Sequence, residues 1–355
     1  MSFSDVDRAM MQRALALAEN GLWTATPNPR VGCVIAQGET VVGEGWHESA
    51  GAPHAEVNAL AAAGDAARGG TAYVTLEPCN HHGRTPPCAE ALARSGVKRV
   101  VAAMLDPNRE AAGGGAALEA AGVVVEHGLL ADEARELNIG FVSRVTRNRP
   151  WVRLKIAATL DGRTALADGR SQWITGSEAR ADGHRWRARA CAILTGIGTV
   201  KADDPQLSVR EVRTSRQPLR VVVDSRLEIS PRARVLEGGN ALLYCAAGAS
   251  REHAGVQAIA LPNDRGKVDL PRMLEDLAKR GVNELHVEAG FRLNGSLLRE
   301  GCVDELLVYL NPSLLGDGAQ GMFDLPAFEA LDSRPRLSLR SAEHVGDDLR
   351  LIARL

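Results

Sequence analysis

The sequence has 355 residues, of which 45% are hydrophobic and 24% are charged, and its formal net charge is -2. This composition is typical of a soluble globular protein, and the length predicts about two domains, each large enough to bury its own core. Because the chain has no net positive charge, it has no global electrostatic attraction for nucleic acid or for an anionic membrane, and neither partner is expected.

The N-terminus and the cysteines indicate the cellular compartment. The first residues, MSFSDVDRAMMQRALALAEN, include early acidic residues and no continuous apolar segment, unlike a secretory signal peptide. No run of about 18 apolar residues is present to span a bilayer. Six scattered cysteines are too few for a disulfide scaffold. A reducing, cytoplasmic location is therefore expected.

The N-terminal part of the chain alternates helices and strands. Ser4 and Asp7 form a predicted capping box before a helix that ends near Asn20. VGCVIAQGETVVGEGW predicts a β-hairpin; TAYVTL, VKRVVAAML and VVVEHG predict strands; HAEVNALAAAG, CAEALARSG and GAALEAAG predict helices. ADEARELNIGFVSRVTRN is predicted to form one helix that leads out of this part. The alternation predicts an α/β fold with a partly parallel sheet.

The second part alternates in the same way. WVRLKIAATL, LRVVVDS, ALLYCA, NELHVEAG and VDELLVYLNPSLLG predict strands, ARACAILTG predicts a helix end and a strand, and PRMLEDLAKRG predicts a helix. HVEAGFRLNGSLL predicts a strand, a turn that contains Gly290 and Gly295, and a helix. The last residues, SLRSAEHVGDDLRLIARL, predict two strands around a Gly-Asp turn. The predicted domains are residues 1–147 and 148–355.

A zinc motif is the strongest local signal. His54 and Glu56 in PHAEVNAL, together with Cys79 after a proline, match the H-x-E and P-C signature of zinc deaminases. A catalytic zinc takes three protein ligands and keeps one position open for water, and imidazole nitrogen and thiolate sulfur suit it. The predicted ligands are His54, Cys79 and Cys88. Two prolines precede Cys88 and predict that a helix starts there. The N-terminus of a helix stabilises a cysteine thiolate.

Glu56 points to catalysis rather than to a structural metal. It lies two residues after a ligand and outside the metal shell, so it can accept a proton from water and later deliver a proton to leaving ammonia. The alternative is a structural site with four protein ligands, in which His81 or His82 of LEPCNHHGRTPPC supplies the fourth. Glu56 favours catalysis because a structural site has no use for it. Cys33 is predicted to be a buried core thiol.

The segments TPNPRVGCVI, GWHESAGAPHAEVNAL and LEPCNHHGRTPPC resemble the deaminase half of the bifunctional riboflavin-biosynthesis deaminase–reductase family. In that family a longer loop separates the two cysteines than in cytidine and tRNA-adenosine deaminases, which have C-x-x-C. The resemblance implies a cytidine-deaminase-like three-layer α/β/α domain and one zinc ion per chain. It implies hydrolysis of the amino group at C2 of 2,5-diamino-6-ribosylamino-4(3H)-pyrimidinone 5′-phosphate. It also implies substrate contacts from Asn28, His47, His81 and Arg84.

Residue chemistry agrees in part with these implied contacts. Arg84 and a histidine beside the metal can bind a phosphate, and Asn28 can form hydrogen bonds with a base edge. The alternatives are an Asn-Pro turn for Asn28 and a solvated loop side chain for His47. Residue types alone leave both possibilities open.

Residue patterns are less decisive in the second half. TGIGTV at 195–200 begins a dinucleotide-binding fingerprint but lacks its third glycine. The turn at Gly290 can cradle a phosphate with its backbone N–H groups, or it can be an ordinary strand–helix connection. KIAATLDGRTA is an apolar strand broken by an Asp-Gly turn and carries no chemistry by itself.

The segments RPWVRLKIAATLDGRTA, SQWITG, GIGTVKADDPQL and HVEAG resemble the reductase half of the same family, whose fold is similar to that of dihydrofolate reductase. The resemblance implies NADPH-dependent reduction of the ribosyl group to ribityl. It implies an NADPH site formed by Ala157, Trp173, Thr199, Asp203, Gly290, Phe291, Arg292, Leu293, Asn294, Gly295 and Ser296. It implies substrate contacts from Lys155, Ser171, Arg187, Leu207, Arg210 and Glu288, with the arginines as phosphate clamps.

The sequence therefore predicts a cytoplasmic bifunctional enzyme that acts on a small phosphorylated pyrimidine, uses zinc and NADPH, and forms a homo-oligomer as relatives of this type do. Two departures from the family pattern, Asn148 and Thr159, remove no candidate ligand. Two other hypotheses remain. One is a nucleoside or tRNA deaminase with an accessory C-terminal domain, and the other is a zinc-stabilised binding protein without turnover.

Overall fold

The computed structural model describes residues 3–81, 86–248 and 250–355. The chain divides into two compact units, Met1–Arg147 (unit 1) and Asn148–Leu355 (unit 2). Each unit has its own large sheet and its own apolar core. Within the described part of the chain, no helix is both long and apolar enough to cross a membrane.

Unit 1 is a mixed sheet with helices on it. Its helices are α1 (Asp5–Glu19), α2 (Ala55–Ala63), α3 (Cys88–Ser95), α4 (Gly114–Ala120), α5 (Ala131–Leu137) and α6 (Ile139–Arg147). Its strands are β1 (Gly32–Gln37), β2 (Thr40–Trp46), β3 (Thr71–Val74), β4 (Arg99–Ala102) and β5 (Val124–His127), in the order β2-β1-β3-β4-β5. Strand β1 is antiparallel to β2 and β3, whereas β3, β4 and β5 are parallel. The predicted partly parallel sheet is confirmed.

Helix α1 is held at its N-terminus by the predicted capping box. The Ser4 hydroxyl accepts from the Asp7 N–H at 3.1 Å, and the Asp7 carboxylate accepts from the Ser4 N–H at 2.9 Å. Asp7 also forms an ion pair with Arg99 of β4 and accepts from the Tyr73 hydroxyl of β3 at 2.8 Å. One carboxylate therefore caps the helix and ties it to two strands of the sheet.

Two glycines let α2 lie directly on β2. A Cβ atom on Gly43 would be 2.3 Å from the carbonyl oxygen of Ala59, and one on Gly45 would be 2.6 Å from that of Ala55. Any larger residue would push the helix away from the strand, since real Cβ atoms do not approach backbone so closely. This contact sets the position of the first turn of α2, which carries Glu56.

The single helix predicted for ADEARELNIGFVSRVTRN is wrong, because Asn138 divides it into α5 and α6. Asn138 has φ -107° and ψ 20° and is buried. Its side-chain oxygen accepts from the Arg30 N–H at 2.8 Å, and its amide donates to the Arg30 carbonyl at 2.8 Å. An asparagine side chain that bonds distant backbone in this way interrupts the regular helix, and local periodicity does not reveal it.

Unit 2 is built on a ten-stranded sheet. Its helices are α7 (Ser177–Arg189), α8 (Ile197–Asp203), α9 (Leu270–Lys279) and α10 (Phe291–Arg299). Its strands are β6 (Trp151–Thr159), β7 (Arg163–Ala165), β8 (Ala192–Gly196), β9 (Leu219–Val223), β10 (Ala241–Cys245), β11 (Arg251–His253), β12 (Val256–Ala260), β13 (Glu284–Val287), β14 (Glu305–Asn311), β15 (Gln320–Gly321), β16 (Ser338–Val345) and β17 (Asp348–Arg354). The sheet order is β11-β12-β10-β9-β8-β13-β6-β14-β17-β16, and β7 pairs with β15.

The centre of this sheet is parallel. Strands β8, β13, β6 and β14 pair in parallel, so their carboxyl ends lie along one edge. In open α/β sheets ligands bind at this edge. The C-terminal strand pair, β16 and β17, is confirmed and lies antiparallel at the far side of β14.

The predicted turn between Gly290 and Gly295 is shorter than expected. Gly290 is the N-cap of α10, so the residues from Phe291 onward are helical. Gly295 lies inside the helix, where a Cβ atom would be 2.1 Å from the carbonyl oxygen of Asp324. Close backbone packing therefore explains why residue 295 is a glycine. Of these two glycines, Gly290 belongs to the turn and Gly295 belongs to the helix.

Candidate active sites

The three predicted zinc ligands come together in unit 1. His54 is the N-cap of α2, Cys79 follows β3, and Cys88 is the first residue of α3, with Pro87 at its N-cap. The nearest donor atoms of these residues lie within 4.8 Å of one another. His54 Nδ1 is 3.3 Å from Cys88 Sγ and 3.6 Å from Cys79 Sγ. The two helix starts and one strand end thus converge on one point.

The donor set fits zinc. A tetrahedral zinc with Zn–N near 2.0 Å and Zn–S near 2.3 Å holds its ligand atoms roughly 3.5 to 4 Å apart, which is close to the spacing observed here. The Cys88 N–H donates to Cys79 Sγ at 3.4 Å, and hydrogen bonds from Cys88 and His54 lower the pKa of the Cys79 thiol. Among the described residues this cluster has three donors. His81 is exposed and outside the cluster, and His82 lies outside the described residues.

Glu56 lies beside the cluster in the first turn of α2. Its side chain is buried, with the residue 3% exposed, and burial raises its pKa to about 7. A carboxylic acid with a pKa near neutrality can both take up and release a proton at physiological pH. This is the property that the sequence predicted from the spacing of Glu56 and His54.

A cavity of about 500 Å³, called the unit 1 cavity, opens on the cluster. Asn28, His47 and His81 line it, together with His54 and Glu56. Arg84, the fourth predicted substrate contact, lies outside the described residues. Three of the four predicted contacts are therefore brought to one space.

The orientation of Asn28 and His47 is linked. His47 Nδ1 lies 3.1 Å from the Pro53 carbonyl, and His47 Nε2 lies 3.0 Å from Asn28 Nδ2. A carbonyl accepts only, so the His47 proton is assigned to Nδ1, and Nε2 accepts from the Asn28 amide. Burial lowers the pKa of His47, which favours this neutral form. The Asn28 carbonyl oxygen is then available as a hydrogen-bond acceptor.

Sequence reasoning missed Glu77, Asp106 and Asn108, which also line the unit 1 cavity. The Glu77 carboxylate accepts from the backbone N–H groups of Asp106, Gly113 and Gly115, each at 3.1 Å. Glu77 thus ties the segment after β4 to the segment that carries Cys79. Strand topology could have indicated these three residues, because the loops after the parallel strands β3 and β4 must leave the sheet at the same edge.

In unit 2, Lys155, Arg187 and Glu288 form a group called the unit 2 charge cluster. Arg187 forms a bidentate ion pair with Glu288, in which Arg187 Nη2 donates to Glu288 Oε2 at 2.9 Å. Arg187 Nη1 also donates to the Ser208 carbonyl at 3.0 Å. Burial raises the pKa of Glu288, but the charge and hydrogen bonds of Arg187 outweigh it and hold the pKa well below the usual range. Burial lowers the pKa of Lys155, which lies near this pair on β6. Glu288 is therefore a fixed negative charge.

Two other predicted substrate residues, Leu207 and Arg210, lie around Ser208. Buried Leu207 precedes it, and Arg210 donates to its hydroxyl at 3.1 Å. The Arg210 N–H donates to a ring nitrogen of His184. Burial, together with the charges of Arg187 and Arg210, lowers the pKa of His184 to about 4. His184 was missed, as was buried His286, whose Nε2 lies 3.4 Å from Glu288. HVEAG contains both His286 and Glu288, so the motif itself was the signal.

The predicted cofactor residues approach one another in two places. A Cβ atom on Gly290 would be 3.7 Å from the Thr199 hydroxyl, so the start of α10 meets α8. Asp203 accepts from Gln172 at 3.3 Å. The residues next to Gln172 are Ser171 and Trp173, and the Trp173 side chain is 71% exposed. Ala157 lies two residues after Lys155 on β6, on the same face of the strand.

Comparison with known families separates the same two halves. Residues 4–104 match the family model described as the cytidine and deoxycytidylate deaminase zinc-binding region, and residues 150–351 match the RibD C-terminal domain. The Escherichia coli riboflavin biosynthesis protein RibD is 47% identical over 97% of this chain and 98% of its own length. This chain belongs to the RibD family.

Solved structures of RibD proteins agree over the whole chain. Acinetobacter baumannii RibD, form 1, has a TM-score of 0.91 and 42% identity, covering 98% of both chains. A Thermotoga maritima diaminohydroxyphosphoribosylaminopyrimidine deaminase and 5-amino-6-(5-phosphoribosylamino)uracil reductase has a TM-score of 0.89 and 32% identity, again covering 98% of both. The predicted family and fold class are confirmed: a cytidine-deaminase-like domain precedes a RibD reductase domain.

Membership of the RibD family also confirms the predicted function. The chain is a bifunctional deaminase and reductase of riboflavin biosynthesis, with a zinc-binding deaminase region and a reductase region. A nucleoside or tRNA deaminase with an accessory domain is not retained, since the RibD match extends over both halves. A binding protein without turnover is not retained for the same reason.

Glu77 provides a test of the unit 1 cavity. Glu77→Gln keeps the side-chain shape but replaces one acceptor oxygen with an NH₂ donor, which opposes the backbone N–H donors that it faces. Hydrogen bonds to a charged group are worth roughly 1.5 to 3 kcal/mol, so their loss should displace the segment after β4 from the cavity wall. We expect a folded, zinc-containing protein whose KM for the pyrimidine substrate in deamination rises about tenfold. The matched control is Glu90→Gln on the surface of α3. An unchanged KM in Glu77→Gln would show that the segment after β4 does not contribute to substrate binding.

Proposed function

We propose that residues 1–147 form the deaminase domain and that residues 148–355 form the NADPH-dependent reductase domain of a cytoplasmic enzyme. The proposed substrate is 2,5-diamino-6-ribosylamino-4(3H)-pyrimidinone 5′-phosphate, which is deaminated first and then reduced to the ribityl compound. The Thermotoga maritima relative, named for both activities, supports this choice. The low net charge and the two small-molecule sites favour no nucleic-acid partner.

The observation that carries the deaminase proposal is the buried Glu56 beside three zinc-type donors. His54, Cys79 and Cys88 would hold one zinc ion per chain, which when bound acidifies a water molecule. Glu56 takes a proton from the attacking water as the C2–O bond forms, and gives a proton to the amino group as the C2–N bond breaks and ammonia leaves. Its pKa of about 7 allows both transfers near neutral pH.

Substrate contacts in unit 1 follow from the same cavity. Asn28 offers its carbonyl oxygen to an N–H group of the pyrimidine, because its amide already donates to His47. His81 lies on the wall of the cavity and Arg84 is retained as a predicted contact. A fixed acceptor that faces the ring selects for a pyrimidinone N–H rather than for an unprotonated ring nitrogen.

In unit 2 the charge cluster supports a reductase role. NADPH when bound would supply the hydride. We assign its phosphates to the start of α10, which the approach of Thr199 to Gly290 supports. Trp173, Asp203 and Ala157 remain proposed cofactor contacts, with Phe291, Arg292, Leu293, Asn294, Gly295 and Ser296 of α10. Lys155 is proposed to assist at the ribose carbon, which its position near Glu288 supports. Ser171, Leu207 and Arg210 remain proposed substrate contacts.

Arg187 has a more specific proposed role than a phosphate clamp. Its guanidinium donates to Glu288 on two sides and to the Ser208 carbonyl on the third. Arg187 therefore orients the Glu288 carboxylate, and Arg210 is the arginine proposed to meet the substrate phosphate.

Glu56→Gln tests the deaminase role. The amide preserves size but cannot exchange a proton, so ammonia release should fall by about 10²- to 10⁴-fold, which is the usual contribution of a positioned general base. Zinc content, measured by metal analysis, should stay near one per chain. Exposed Glu48→Gln is the matched control and should retain activity. Deamination at the wild-type rate by Glu56→Gln would exclude Glu56 as the proton carrier.

Lys155→Met tests the reductase role. We expect NADPH oxidation with the deaminated substrate to fall at least about tenfold, because the cation beside Glu288 is lost. Ammonia release without NADPH should be unchanged, since the deaminase site is in the other unit. Exposed Lys279→Met on α9 is the control. The reductase assignment fails if the wild-type protein does not oxidise NADPH with the deaminated compound, and the role of Lys155 fails if its variant keeps the wild-type rate.

We infer that the protein forms a homo-oligomer through unit 2. Strand β16 is the edge of the ten-stranded sheet, and Leu339 on it and Leu337 just before it are 62% and 45% exposed. An unpaired edge strand with exposed leucines on it and beside it favours association with a second copy. Light scattering should give a mass above that of one chain, reduced in Leu339→Glu but not in Ser338→Glu. A monomeric wild-type protein would contradict this inference.

A further inference from the structure

One wall of the unit 1 cavity is formed by Arg144 of α6. Among the described residues that line this cavity, Arg144 is the one arginine or lysine, whereas Glu56, Glu77 and Asp106 supply carboxylates. A phosphate that enters such a cavity loses water and needs a cationic partner away from those acids. We propose that Arg144 binds the 5′-phosphate of the substrate during deamination, an assignment that rests on the deaminase function proposed above.

The fold places Arg144 in a defined position. Phe141 precedes it by one helical turn, so the two side chains lie on the same face of α6. Phe141 is 6% exposed and belongs to the unit 1 core. The Arg144 guanidinium carbon lies 5.8 Å from the centre of the Phe141 ring. The buried ring therefore fixes this face of the helix to the core and holds the guanidinium at the cavity wall.

A second contact ties the start of α6 to the loop that carries Asn28. Asn138, at the start of α6, exchanges two hydrogen bonds of 2.8 Å with the backbone of Arg30. Arg30 also donates from its side chain to the Leu137 carbonyl at 2.7 Å. Arg30 is two residues after Asn28 in the same loop. Three hydrogen bonds thus join the loop that carries Asn28 to the junction of α5 and α6, directly before the helix that carries Arg144.

The chemistry of the side chain suits a phosphate. A guanidinium keeps its charge at every physiological pH and presents its N–H donors in a fork that matches two phosphate oxygens. The unit 1 cavity, at about 500 Å³, is within the range of small-molecule sites. Glu56 and Arg144 both line this cavity, so in our proposal a pyrimidine beside Glu56 carries its phosphate toward α6. Arg144 and the predicted contact Arg84 come from different segments, so the two assignments are independent.

The test compares phosphorylated and dephosphorylated forms of the pyrimidinone ribosylamine as substrates for ammonia release. With the phosphorylated form, Arg144→Gln should raise KM by about 10- to 100-fold with little change in kcat, because hydrogen bonds to a charged group are lost. With the dephosphorylated form, wild type and Arg144→Gln should have equal KM values. Inorganic phosphate should compete with the substrate in wild type and not in Arg144→Gln.

Two further variants control the measurement. Arg147→Gln, one turn later on α6 and away from the described cavity wall, should behave as wild type. Arg144→Lys keeps the charge and much of the volume, should restore part of the lost affinity, and carries the test if Arg144→Gln does not fold. An equal KM change with both substrate forms, or no change with either, would overturn the phosphate role. A wild-type protein that releases ammonia from neither form would contradict the deaminase function itself.

Discussion

Parallel pairing of neighbouring strands positions both sites of this protein. In unit 1 the parallel strands β3 and β4 end at the same edge of the sheet, and Cys79 and Asp106 follow them. In unit 2 the parallel strands β8 and β13 end together, followed by Thr199 in α8 and by Glu288. Since the segments that follow parallel strands leave the sheet at the same edge, each edge brings together side chains from distant parts of the sequence.

The two units hold buried carboxylates in opposite electrostatic environments. Glu56 is buried without a paired cation in the described residues, and burial raises its pKa into the range where it can move protons. Glu288 is also buried, but the forked contact with Arg187 keeps it ionised. The same chemical group therefore has a pKa near neutrality in one site and stays ionised in the other, because a guanidinium forms two contacts with Glu288.

Motifs with short spacing were the most predictable part of the molecule. The capping box of Ser4 and Asp7, the positions of most helices and strands, and the convergence of His54, Cys79 and Cys88 all follow from patterns within a few residues or from a metal signature. Long-range contacts limited the rest. Asn138 breaks a regular helix because its side chain forms hydrogen bonds with Arg30, 108 residues away. Position 295 requires glycine because the backbone of Asp324 packs against it.

The sequence by itself determined the family and the order of the two α/β units, and it predicted that His54, Cys79 and Cys88 would lie together beside Glu56, since these depend on residue types at fixed spacings. Only the tertiary structure decided which other side chains share a site. Glu77 and Arg144 carry no local motif, and they line the unit 1 cavity because strand order and the Asn138–Arg30 contact bring distant segments together. Periodicity reports which face of an element is buried, whereas it does not report what that face meets.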